Sequence, residues 1–166
     1  MAGELPKPDW SVCIDWNGDG DYTDTNDDIT QYVHKISWQL GMKRAYQNTD
    51  DEITATITVH NHDQRFSPEF AGPLAGQLVP QKPVRIQSTY GGVTTTHWRG
   101  WTNTFDPIPG TAGERKTIIS CRGNRWLLER AEVFLSLMQD VTADEVLFAI
   151  LSQLNLPPAD VTGDWV

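Results

Sequence analysis

The segment 52–60 sets the strongest constraint on what this chain can fold into. Ile53, Ala55, Ile57 and Val59 fall on one face of an extended backbone, with Thr54, Thr56, Thr58 and His60 on the other. A period of two rich in β-branched residues predicts a strand that buries one face. A lone strand is not stable; it needs neighbours that bury the same face. The chain offers several. Val12, Ile14 and Trp16 alternate with Ser11, Cys13 and Asp15, and a less regular alternation runs over 33–38. Residues 84–90 and 93–98 flank Gly91-Gly92, a pair suited to a two-residue hairpin turn. The second arm is expected to continue through Trp101 and Thr104 to Phe105, with a bulge at Gly100. Pro107, Pro109 and Gly110 should then break it, and Lys116 to Arg122 forms another strand. Residues 61–82 lack sustained periodicity and read as a long ordered loop.

The pattern turns helical after Asn124. That residue is placed to cap a short helix near 124–130 carrying Trp126, Leu127, Leu128 and Arg130. Thr142-Ala143-Asp144-Glu145 is a capping box. Val146, Leu147, Ile150, Leu151 and Leu154 follow on one helical stripe, and Pro157-Pro158 stops it. Strands first and helices last predict a mainly β fold, with a short helix near 124–130 and another near 142–155. The expected organisation is an N-terminal arm over 1–10, a β domain over 11–123 and a helical appendage over 124–166, packed on the β domain.

The longest apolar run, Val146 to Leu151, is six residues. A membrane span needs roughly twenty, so none is expected. Residues 1–8 have no apolar core of a secretory leader. Action outside a cell would then require lysis or carriage within a particle. Thirteen basic and 22 acidic residues leave a net charge of −9, which argues against a nucleic-acid partner. The charge is segmented: 4 basic and 12 acidic over 1–63, 9 and 4 over 64–130, none and 6 over 131–166. Blocks of opposite sign suit head-to-tail assembly, and equally a fold in which they cancel.

Few residues offer chemistry. Asp15-Trp16-Asn17-Gly18-Asp19-Gly20-Asp21 matches the opening of a calcium loop, in which alternate oxygens turn inward and a glycine permits the bend. Asp15, Asn17, Asp19 and Asp21 are the candidate calcium ligands. The twelfth position is Asn26 rather than a bidentate Glu, although Asp27 or Asp28 could substitute. An acidic β-turn is the plainer alternative, and any bound ion would stiffen the loop rather than catalyse. His60 and His62 lack a third zinc ligand at useful spacing, and His34 and His97 stand alone. Cys13 and Cys121 read as buried free thiols. Of seven tryptophans, Trp98 and Trp101 fall on opposite faces of one strand, so one of them is a candidate interface residue. No nucleophile elbow, phosphate-binding glycine loop or HExxH helix is present, and the chain is read as not an enzyme.

Longer-range order carries more information. Asn61-His62-Asp63-Gln64-Arg65-Phe66-Ser67-Pro68, Pro73-Leu74, Leu78-Val79-Pro80 and Pro83-Val84-Arg85-Ile86 form a spaced set. Trp98-Arg99-Gly100 follows, then an aromatic and a proline. Upstream lie Asp15-Trp16, the Asp-Gly loop, Asp28-Ile29-Thr30, Val33, Trp38 and Gly41. Over residues 10–155 this set resembles the minor tail or tail-hub proteins of tailed bacteriophages. The resemblance implies a structural virion protein: residues 11–123 as a β-barrel or strongly curved antiparallel sheet, a hub domain in a ring, expected to be trimeric, at the tail tip. It would join the tail tube or distal tail protein to fibre or spike components, after assembly in the host cytoplasm. Arg65, Arg85, Trp98 and Arg99 are the interface candidates.

The central motif also has a physical reading. Asn61 and Asp63 can stop the strand, Arg65 can hold a carboxylate or carbonyl, and Phe66 can plug the loop into the core. Position 64 is Gln where the family often has Gly, so a different turn is expected there. Family members usually continue into further β domains, so the resemblance implies that this chain supplies the first hub domain. The alternative is a monomeric β-sandwich module with a calcium-stiffened loop and an aromatic platform for glycans.

Overall fold

The structure is a computed structural model that describes residues 7–41, 53–110, 114–125, 129, 132–136, 138–139 and 141–153. The chain divides into two compact units, Met1–Arg125 and Trp126–Val166. The first holds six strands: β1 (Asp9–Ile14), β2 (Val33–Gln39), β3 (Thr54–His60), β4 (Pro83–Tyr90), β5 (Val93–Ile108) and β6 (Lys116–Arg122). They form one antiparallel sheet in the order β1-β4-β5-β6-β3-β2, curled into a half-barrel. The fold is mainly β, as the alternating patterns predict.

The alternation at 53–60 does what it predicts. Ala55, Ile57 and Val59 are buried, against Ile119 and Cys121 of β6. Val12, Ile14, Val84, Ile86 and Trp98 complete the concave face. Gly91 and Gly92 make the β4–β5 turn with φ of 57° and 81°. Both cysteines are free and buried, and burial pushes the Cys121 thiol up to about 12.

Two long crossovers close the open side of the curl. The first, 15–32, carries the chain from β1 at one edge to β2 at the other. Its 27–29 stretch runs beside the outer edge of β1: Ile14 donates to the Asp27 carbonyl at 2.9 Å, and Ile29 to the Val12 carbonyl at 3.0 Å. A single 3₁₀ turn, Thr30–Tyr32, then enters β2. The second crossover, 61–82, spans from β3 to β4 and buries Phe66, Leu74 and Leu78 in the core. An edge covered by its own loop is protected from unwanted pairing.

Strand β5 corrects two expectations. It continues through Pro107 to Ile108, where β6 alone pairs with it. A proline's missing N–H is harmless on a side with no neighbour. The irregularities also flank Gly100 rather than fall on it: the register shifts between Ile86 and Gln87 on β4, and between Thr102 and Thr104. Gly100 is needed for a different reason. A Cβ there would meet the Arg122 carbonyl oxygen at 2.3 Å and the Trp98 ring at 2.4 Å.

In the second unit the helix Ala143–Gln153 begins at the capping box, with the Thr142 N–H donating to Glu145 Oε2 at 2.8 Å. Val146 and Ile150 are half-buried and Leu147 is exposed. Asn124, Arg125 and Glu129 are helical. Residues 126–128 and 130 of the expected short helix, residues 1–6 of the expected arm, and Leu154 and Pro157-Pro158 lie outside the described residues. Among the described residues no helix is long and apolar enough to cross a membrane.

Candidate interaction surface and acidic loop

The motif at 61–68 is the most heavily bonded part of the second crossover. Asn61 is 2% exposed, and every polar group of its side chain is used. Its amide donates to the Ser67 and Thr117 hydroxyls, both at 2.9 Å, and its carbonyl accepts from the Phe66 N–H at 3.0 Å. The strand therefore ends at a side chain that folds the next turn around itself. Gln64 occupies the left-handed region, φ 60°. The glycine-type turn is thus retained, at a conformational cost that glycine would not incur.

Arg65 turns inward. Its guanidinium donates to the Tyr32 hydroxyl, lies 4.4 Å over that ring, and pairs with Asp63 at 3.1 Å. Arg85 and Arg99 sit directly opposite each other on β4 and β5, an arrangement of like charges that costs stability unless something intervenes. The half-buried Arg85 places its guanidinium 4.2 Å over the Tyr22 ring, and Arg99 is exposed. Burial, more than any neighbouring charge, pushes the Tyr22 hydroxyl up. Trp98 is corrected as an interface residue: it is 2% exposed and belongs to the core. Trp101, on the other face, is buried as well, with its indole N–H donating to Asn124 Oδ1 at 3.2 Å. The outer face is therefore covered at that point, and the choice between the two tryptophans does not arise.

A different aromatic set reaches the surface. Trp10 of β1, Trp38 of β2 and His97 of β5 meet with ring centroids 5.0–6.0 Å apart, and Trp10 is 42% exposed. The two edge strands thus approach each other at one rim of the curl. The signal was present in the sequence: Trp10 continues the Val12–Ile14 face, and Trp38 the Ile36 face at the margin of the core.

The acidic loop divides its carboxylates between two tasks. Asp15 is fully buried and accepts from the backbone N–H groups of Gly18 and Gly20, so it shapes the turn from within. Asp19, Asp21 and Asp24 are exposed, with oxygens within 4.8 Å of one another. Asn17 donates to both Asp19 and Asp24. The Asp21 N–H and the Asn17 amide hold the Asp19 carboxyl below its usual range. Of the four calcium candidates, Asp19 and Asp21 come together with Asp24, which spacing alone did not select; Asp15 does not join them. Asp27 is buried with two long contacts, 3.4 Å from the Trp16 N–H and 3.3 Å from the Asp24 N–H. Burial raises its pKa, and the Asp15 and Asp24 charges add to that.

No protein-family model matches this chain, and no curated protein is significantly similar to it.

Proposed function

We propose that this chain is a structural component of a bacteriophage tail tip, the first hub domain of a ring that joins the tail tube or distal tail protein to fibre or spike components. The observation that carries this reading is the agreement between motif and role. The spaced residues that resemble tail-hub proteins, Asn61, Phe66, Leu74, Leu78, Val84 and Ile86, are those that lock the second crossover into the half-barrel. Such residues rigidify a scaffold, and a ring component needs rigid surfaces to repeat. Contacts between copies would use the exposed Arg99 and the rim of Trp10, Trp38 and His97, aromatic and arginine side chains of the kind enriched at interfaces. The same rim favours a second reading, a monomeric glycan-binding module whose rings stack on a sugar.

Self-association distinguishes the two. Light scattering on a concentration series, alone and with tail proteins of the same gene neighbourhood, is the test. A trimer or a stable complex with a tail protein supports the hub reading. A monomer that ignores tail proteins and binds glycan supports the second.

A further inference from the structure

The sequence presents His60 and His62 without a third metal ligand, and the fold supplies one. Strand β2 pairs antiparallel with β3, and the register shift between Val33 and Lys35 falls at His34. His34 is thereby set beside His60, with ring centroids 4.9 Å apart. His60 and His62, two positions apart, lie on one side of the chain with centroids 5.4 Å apart. His60 is the last residue of β3 and His62 lies in the turn that follows it, while His34 comes from the neighbouring strand β2.

We propose that His34, His60 and His62 form a binding site for a divalent transition metal of the zinc class. Three imidazoles and one open position constitute a known zinc ligand set, and nitrogen ligands at 2.0–2.1 Å from such an ion put neighbouring ring centres about 5 Å apart. Both observed separations are close to that figure. Imidazole nitrogens also suit copper and nickel.

In the metal-free chain Lys116 Nζ lies 3.5 Å from His34 Nε2, where the metal would replace it. The His60 and His62 rings are stacked within 12° of parallel, and the nitrogens of the three rings do not all lie within 4.8 Å of one another, so they do not yet converge. Loading therefore turns the exposed His34 and His62 rings and displaces the Lys116 ammonium. The site stands apart from the tail-hub reading and survives its failure.

The test is calorimetric titration of Zn²⁺ into the full chain, free of added histidines and stripped of metal, with Co²⁺ absorption as a readout of coordination. One equivalent should bind. His34→Ala and His62→Ala should each weaken binding at least tenfold, and His34→Gln should do the same. Asp19→Asn, in the acidic loop, should leave it unchanged. Circular dichroism of each variant checks that the fold persists, and with these exposed side chains it should. Absence of zinc binding, undiminished binding in His34→Ala, or loss confined to Asp19→Asn would each overturn the proposal.

Discussion

Gln64 shows how a single backbone angle links motif to stability. An L-residue in the left-handed region is disfavoured by about 1–2 kcal/mol, and glycine is not. Glycine also has more freedom to lose from the unfolded chain, which returns part of that gain. Gln64→Gly should therefore stabilise the fold by about 0.5–1 kcal/mol, read as a higher denaturant midpoint with an unchanged m-value. A loss of stability would mean that the side chain of Gln64 matters more than its angle. Asp27 is a second case, with the opposite sign to most carboxylates. Its pKa is raised on folding, so the folded state holds the proton more tightly than the unfolded one. Its contribution to stability is complete below the unfolded pKa and is lost as pH rises through the folded one. Carbon-13 NMR should find Asp27 titrating above the ordinary aspartate value. In Asp27→Asn, the fall in stability across that window should disappear.

Among the elements, the second crossover matters most. Removing the Asn61 side chain leaves the buried Phe66 N–H without its acceptor and the Thr117 hydroxyl without its donor. An unsatisfied buried group costs about 1–3 kcal/mol, so Asn61→Ala should destabilise by about 2–4 kcal/mol. Hydrogen exchange should show the effect first in 61–82, with β4 and β5 slower to respond. How much of this was legible in the sequence differs by element. Strand β6 and the Gly-Gly hairpin follow from local rules, alternation and turn chemistry, and occur where those rules put them. Pro107 misleads because its tolerance depends on which strand lies beside it. Trp98 and Trp101 mislead because both faces of β5 are covered there, Trp98 by the core and Trp101 beside Asn124, and neither neighbour is local in sequence. His34 gains its meaning only through pairing with β3. The Asp15 to Asp21 spacing identifies an acidic loop, but which carboxylates turn inward depends on the backbone N–H groups each one captures.

At the scale of the molecule, the crossovers turn an open sheet into a braced half-barrel. One strap lies along the β1 edge, and the other fills the concave side with Phe66, Leu74 and Leu78. The aromatic rim and the exposed Arg99 are the surfaces such a body would present to neighbours. Segmented charge would set the register between copies, so assembly should weaken as salt rises. Light scattering over a concentration series at low and high salt, with and without the neighbouring tail proteins, tests this most directly. The hub reading predicts a trimer, or a defined complex with a tail protein, that loosens with salt and is lost in Trp10→Ala. A monomer at every concentration, indifferent to tail proteins, would contradict it.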